Sequence, residues 1–303
     1  MSSFHLGVLF GILSAFTGTA VTLWSREIQH REGPWRYMAI ITLGPALLGG
    51  SSWVVAQPAW SRELVVSAGL ASIPALIGMF MLGLATRSGH VSHVAPVMGT
   101  RVLIVTGMAA AFGFEPALPR FWVSAIIIFV ALFLVKGNRR LLSRPWQVID
   151  KTLVLTILSC ASFGLADLVT RRRMALYDLS AWDFICVSWV LRGVVMLVSY
   201  VLICRAVRTR LFLKESRTFW ASAPFYCVHG FVIVNAFKLT DSAILVNVLT
   251  NLRGIVAVFA VLVLHRFNMT RNERLTGPLF AVRLAGSVLI LLAIYIALKG
   301  LPA

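Results

Sequence analysis

Long apolar stretches, separated by short polar interruptions, follow one another along the whole chain. A helix that crosses a bilayer needs roughly 20 mostly apolar residues, and stretches near that length recur from one terminus to the other. The pattern therefore predicts an all-α integral membrane protein with about ten transmembrane helices. The predicted spans are 4–24, 35–56, 63–85, 91–114, 120–135, 152–170, 181–204, 218–237, 242–265 and 276–298.

The composition excludes a soluble domain. Hydrophobic residues make up 59% of the 303 residues and charged residues only 13%, whereas soluble domains carry roughly 25% charged residues. No basic segment precedes the first apolar stretch, so we expect that stretch to remain as a span rather than to be removed as a signal peptide. The four cysteines lie inside predicted spans without ligand spacing, so we expect packing roles and no metal, haem or other cofactor.

The strong positive charge is interpreted as a topology signal. The chain has 28 Lys and Arg against 11 Asp and Glu, a net charge of +17. The connections after the odd-numbered spans carry 17 of the basic residues, and the opposite side, including the C-terminal tail, carries 7. By the positive-inside rule the 17-charge side is cytoplasmic, which places both termini outside. The expected partner of this charge is the lipid bilayer, and we expect no binding of nucleic acid.

Two halves of the chain, 1–145 and 146–303, share a pattern of five helices. Their first helices read GILSAFTGTAVTLWSR and TILSCASFGLADLVTR, and their third helices contain Pro74 and Pro224 and end in LATRSGHVS and NAFKLTDSA. The fourth helices carry Arg101 and Arg253, and both fifth helices end in Lys-Gly. Because five is an odd number, the second copy enters the membrane from the opposite side, which predicts an inverted-topology repeat typical of transporters.

This layout resembles the EamA-like branch of the drug/metabolite transporter superfamily. The resemblance covers the whole chain and depends on the five-plus-five helices, the short loops and the junctions between the third and fourth helices. It implies a central cavity between the first four helices of each half, open alternately to each side of the plasma (inner) membrane. It also implies that both termini are inside, opposite to the orientation that the charges favour.

Two arginines are the leading candidates for a substrate-binding site. Arg101 and Arg253 lie about ten and twelve residues into their predicted spans, roughly 15–18 Å deep and near the middle of the bilayer. A central arginine costs roughly 2.5–3.5 kcal/mol to insert, so each should face a polar cavity or a partner. Either they form a cationic cavity wall, or they pair with carbonyl or carboxylate groups for packing alone.

Further polar side chains within the spans are candidates for the same site. Arg192 is central in the seventh span, and His229 is a candidate proton carrier or a packing histidine. Asn247 and Asn251 share one helix face and serve either as ligand donors or as contacts between helices. Asp167 is the one acidic residue that lies neither at the end of a predicted span nor in a loop, and its position near Arg171 favours a surface ion pair.

The sequence thus predicts a secondary transporter that binds a small anionic or zwitterionic metabolite in an arginine-lined cavity, with a coupling proton or a counter-substrate as a further partner. One alternative is an exporter of amino acids or amphipathic compounds with structurally paired arginines. Another is a membrane lipid-handling protein that transports nothing. No Walker A motif and no clustered catalytic residues occur in the sequence, so we expect neither a primary pump nor an enzyme.

Overall fold

A computed structural model describes residues 2–56, 61–88, 98–136, 151–206, 216–253, 255–256 and 277–299. These residues form helices and connecting turns, with no strand among them. The all-helical class predicted from the sequence is confirmed. The helices are α1 (Ser3–Ala56), α2 (Arg62–Ser88), α3 (Arg101–Phe112), α4 (Pro119–Lys136), α5 (Lys151–Leu176), α6 (Ala181–Ala206), α7 (Ser216–Thr240), α8 (Ala243–Thr250) and α9 (Gly277–Leu298).

Four helical segments within the described ranges are long and apolar enough to cross a membrane. They are Ser3–Val21, Arg62–Ala85, Lys151–Leu176 and Ala181–Leu202. Shorter apolar helical segments cover Tyr37–Ser51, Arg101–Phe112, Pro119–Ala131 and Ala285–Leu298. The protein therefore has the helix lengths and apolarity of a helical membrane protein.

Large apolar side chains on the outer faces of the helices agree with a lipid environment. On α6, for example, Val194, Val198 and Leu202 are 54–60% exposed. The interior also contains many small and hydroxyl-bearing residues, and the buried Thr42 and Thr106 hydroxyls donate to carbonyls four residues earlier on their own helices at 2.7 and 2.8 Å. Small residues at helix interfaces allow close approach where lipid removes the usual hydrophobic drive for association.

Helix α1 contains both of the first two predicted spans, and the predicted connection between them, 25–34, is helical. The chain nevertheless reverses direction within α1, between its two apolar arms. Gly18 packs against the His229 ring and Gly44 against Ala223, residues about 9 Å apart along α7. A straight helix would separate Gly18 and Gly44 by about 39 Å. The two arms of α1, Ser3–Val21 and Tyr37–Ser51, must therefore fold back beside the same stretch of α7.

The helices pack in reciprocal pairs. The first arm of α1 lies along α7, and α2 lies along α5. Helix α3 packs against α5, α8 packs against α1, and α4 packs against α9. Two glycines of the first arm of α1 make close contacts, because Gly7 meets Leu239 and Thr240 and Gly11 meets Leu249. Glycine permits this approach, since a Cβ at Gly7 would lie 2.8 Å from Leu239 Cβ.

Helix α5 extends six residues beyond the predicted end of the sixth span at Thr170. Arg171, Arg172 and Arg173, assigned from the sequence to a connection, are helical, and Met174 after them is 1% exposed. Burial of Met174 explains the extension, since the last turn packs against the bundle despite its three charges. The change moves Asp167 to about 14 Å from the helix end.

Candidate functional site

The helix that carries Arg101 is interrupted immediately before the arginine. Met98 is helical, Gly99 and Thr100 form a turn, and α3 begins at Arg101. Val102 N–H donates to the Gly99 carbonyl at 3.5 Å and Leu103 N–H to the Thr100 carbonyl at 3.0 Å, a three-residue spacing in place of the α-helical four. The Met98 carbonyl is thereby released from its helical partner.

The same interruption precedes Arg253. Helix α8 ends at Thr250, Asn251 and Leu252 form a turn, and helical structure resumes at Arg253. Asn251 N–H donates to the Val248 carbonyl at 3.1 Å, which releases the Asn247 carbonyl. The predicted continuous spans 91–114 and 242–265 are therefore wrong at these turns, while their parts at 91–97 and 257–265 lie outside the described residues.

Arg101 and Arg253 lie at the same depth in the bundle. In the loop after α3, Glu115 accepts the backbone N–H groups of Ala243 and Ile244 at 2.9 and 2.6 Å, so α3 ends where α8 begins. Arg101 is eleven residues before Phe112 and Arg253 ten residues after Ala243, which places both roughly 15–17 Å from this end. That is about half of the roughly 30 Å hydrocarbon thickness of a bilayer.

Arg101 pairs with Asp167 on α5. Its Nη2 donates to Asp167 Oδ2 and to the Phe163 carbonyl, the latter at 3.3 Å, and its guanidinium lies 5.2 Å from the Phe163 ring centroid. Asn247 Nδ2 donates to the same Asp167 oxygen at 2.8 Å. The carboxylate thus joins α3, α5 and α8. Arg101 Nε is buried and makes no hydrogen bond within the described part of the chain.

Arg253 makes a different contact, although it occupies the equivalent position. Its Nη2 donates to the released Met98 carbonyl at 3.1 Å, and its own carbonyl accepts the Thr19 hydroxyl at 3.4 Å. The Arg253 and Arg101 guanidinium groups lie within electrostatic range of each other, and Asp167 acts on Arg253 as well. The structure therefore brings both predicted arginines into one charged cluster, here called the arginine cluster and defined as Arg101, Arg253 and Asp167.

The sequence-based interpretation of Asp167 as a surface partner of Arg171 is wrong. Asp167 is 7% exposed and contacts Arg101 and Asn247. Arg171 instead reaches Asp241, with Nη2 2.9 Å from its Oδ2. The length assigned to the span caused the error, because ending it at Thr170 placed Asp167 one turn from the surface. The sequence signal that could have found the pair is the need of a buried arginine for an acidic partner.

Asn251 and His229 make local contacts next to the cluster. Asn251 Nδ2 donates to the released Asn247 carbonyl at 2.7 Å, and the Thr250 hydroxyl donates to the same carbonyl at 3.0 Å. The His229 Nδ1 atom is 3.1 Å from the Thr17 hydroxyl, so the ring joins α7 to α1. Both guanidinium groups of the arginine cluster act electrostatically on this imidazole.

Arg192 lies apart from the arginine cluster. Its Nε donates to the Ser188 carbonyl on its own helix at 3.1 Å, and that carbonyl also accepts the Ser72 hydroxyl at 3.3 Å. The structure gives Arg192 no acidic partner among the described residues. Sequence position alone had grouped it with the other buried arginines.

A second set of charged side chains lies at the end of the bundle that contains Glu115. Arg171 Nε lies 3.9 Å from Glu115 Oε2, and Arg171 Nη1 donates to the Phe114 carbonyl at 3.0 Å. Burial raises the pKa of the Glu115 carboxyl, while the Ile244 and Ala243 N–H groups and Arg171 oppose that rise. At the rim, Lys238 Nζ donates to Asp178 at 2.5 Å, and this bond lowers the pKa of the exposed Asp178.

Comparison with known proteins finds a shared fold but no family. No protein-family model matches the sequence, and no curated protein does either. Among solved structures, one described only as a crystal structure of a protein aligns with 97% of this chain and 96% of its own, with a TM-score of 0.65 and 12% identity. At that identity the similarity shows a shared fold over the whole length and nothing about activity.

Proposed function

We propose that this protein is a secondary transporter of the plasma (inner) membrane that binds a small anionic or zwitterionic metabolite at the arginine cluster. The observation that carries the proposal is the placement of Arg101 and Arg253 at matched helix interruptions and matched depth. Helices broken near the middle of the membrane are typical of transporter binding sites, because the break exposes backbone groups to a ligand. Two guanidinium groups there attract a carboxylate or phosphate.

The inverted repeat of 1–145 and 146–303 is part of this proposal. The packing of the helices supports it. The contact between α1 and α7 corresponds to the contact between α5 and α2, and the contact between α3 and α5 corresponds to the contact between α8 and α1. It is also supported by the offset of 152 residues that relates both turns and both arginines. Such halves can rock against each other around a fixed central site, as the EamA-like resemblance implies.

A specific observation favours a second candidate function. Because Arg101 already pairs with Asp167, the arginines could serve packing alone, as in an exporter of amino acids or amphipathic compounds that binds no anion at this place. Arg253 distinguishes the two functions, since its hydrogen bond in the described residues goes to the neutral Met98 carbonyl and leaves its charge for a ligand.

Binding of small anions to the purified full-length protein tests the proposal. Arg253→Gln removes the charge and should weaken binding about tenfold or more, because a charge-assisted hydrogen bond contributes roughly 1.5–3 kcal/mol. Arg253→Lys should retain part of the affinity, since it keeps the charge but loses the planar fork. The exposed Arg62→Gln is the matched control and should bind as the wild type does. Equal affinity in wild type and Arg253→Gln would contradict the anion site and favour the second candidate.

A further inference from the structure

The charges of the arginine cluster do not cancel. Arg101 and Arg253 contribute two positive charges and Asp167 one negative charge, and the neighbouring Asn247 contributes none. The hydrogen bonds that Asp167 accepts from a guanidinium and from an amide fit its ionised form. Among the residues that the structure describes, these three charged groups together carry one net positive charge.

We propose that Asp167 determines the charge of the substrate, so that the site accepts one negative charge and discriminates against two. This inference rests on the proposed function and names its substrate class: a monocarboxylate, or a zwitterion that presents its carboxylate to the arginines. Asp167 acts as a specificity-determining residue, because it neutralises one of the two arginine charges before the substrate arrives.

The geometry leaves hydrogen-bond donors for such a ligand. Asp167 occupies Nη2 of Arg101, while the buried Nε of Arg101 has no partner within the described residues. Arg253 uses Nη2 for the Met98 carbonyl, and a guanidinium has five N–H donors in total. A single carboxylate can therefore bond to the arginines while Asp167 keeps its contacts with Arg101 and Asn247.

Within the described residues, a second negative charge on the ligand meets no uncompensated cation, because Asp167 already pairs with Arg101. It would lie near the Asp167 carboxylate in a low-dielectric interior, where like charges repel far more strongly than in water. Specificity of this kind comes from a repulsive group placed against the wrong ligand. Replacing Asp167 with Asn removes the repulsion and keeps the size and a hydrogen-bonding oxygen, so the two arginine charges become available for a dianion.

Titration calorimetry with butanoate and succinate at neutral pH tests the inference, because the two probes have four carbons each and differ by one charge. The purified wild-type protein should prefer butanoate by about tenfold or more. Asp167→Asn should reduce or reverse this preference by about tenfold, mainly through tighter succinate binding. Asp183→Asn, which changes a partly exposed acid in the first turn of α6, is the matched control and should leave the preference unchanged.

The outcomes separate the two proposals. A wild type that binds succinate as well as or better than butanoate overturns the charge limit, whether or not Asp167→Asn folds. An unchanged preference in a folded Asp167→Asn, as judged by its melting temperature, also overturns it, and the anion site then stands without it. If the wild type binds neither probe, the anion site and the charge limit both fail.

Discussion

The Arg253 guanidinium donates to the Met98 carbonyl at 3.1 Å across 155 residues of sequence. That carbonyl is free because the helix turns with three-residue spacing just before Arg101. The interruption before one arginine thus provides the acceptor for the other. Since Arg101 has an acidic partner in Asp167 and Arg253 has a neutral carbonyl, we expect the two arginines to differ in their effect on stability.

Arg101→Gln should destabilise the protein more than Arg253→Gln does. It leaves the Asp167 charge buried without its closest cation, and breaking one partner of a buried ion pair costs about 3–5 kcal/mol. Arg253→Gln removes a bond to a carbonyl, worth about 1.5–3 kcal/mol at most. Melting temperatures of the purified variants measure the difference. Adding Asp167→Asn to Arg101→Gln should restore much of the loss, and a double variant no more stable than Arg101→Gln would contradict the pairing.

Gly193 should not tolerate a methyl group. A Cβ there would lie 2.3 Å from Ala46 Cβ on the second arm of α1, so the two helices would have to move apart. We expect Gly193→Ala to cost about 1–3 kcal/mol, as overpacking does, measured as a lower melting temperature. Gly107→Ala is the control, because its Cβ would meet Trp122 at 3.8 Å. Ala favours the helix by about 0.5–1 kcal/mol, so the control should be neutral or stabilising, and equal losses would refute the close contact.

Glu115 should stabilise the start of α8. Glu115→Ala leaves the Ala243 and Ile244 N–H groups without their carboxylate acceptor, which should cost about 1–3 kcal/mol. The exposed Glu63 in the first turn of α2 provides the control, and Glu63→Ala should change stability by no more than about 0.5 kcal/mol. Equal melting temperatures for the two variants would show that the contact contributes nothing.

The titration of the Glu115 carboxyl should make the stability of the protein depend on pH. Burial raises the pKa of Glu115 above its usual 4.5, so the folded protein keeps a proton that the unfolded chain has already released. The stability that the protonated Glu115 carboxyl contributes is fully present below pH 4.5. It is lost as the pH rises through the pKa that Glu115 has in the folded protein. The stability of wild type relative to Glu115→Gln, which cannot titrate there, should fall over that window. A difference that stays constant with pH would contradict the raised pKa.

Orientation in the membrane can be read by cysteine labelling in a cysteine-free background. If the charge distribution governs insertion, Arg140→Cys should resist an impermeant thiol reagent in intact cells and Ser61→Cys should react. Ser61 lies just before α2, while Arg140 lies outside the described residues. The reverse pattern would give the inside termini that the EamA-like resemblance implies.

Sequence periodicity was sufficient to predict the membrane class and most helix positions. As far as they are described, helices α2, α6, α7 and α9 match the predicted spans to within three residues at each end, because lipid requires a continuous apolar helix of nearly fixed length. The depth of Arg101 and Arg253 followed from the same constraint.

The tertiary structure alone decided which buried polar groups meet. Apolar length cannot reveal that α5 continues through three arginines to bury Met174, and that extension carries Asp167 inward to Arg101. Nor can it reveal the turns at Gly99–Thr100 and Asn251–Leu252, because their residues are compatible with a helix and their released carbonyls are satisfied by distant or neighbouring side chains. Pairing of polar groups depends on neighbours brought together by packing, whereas span length depends only on the solvent around each helix.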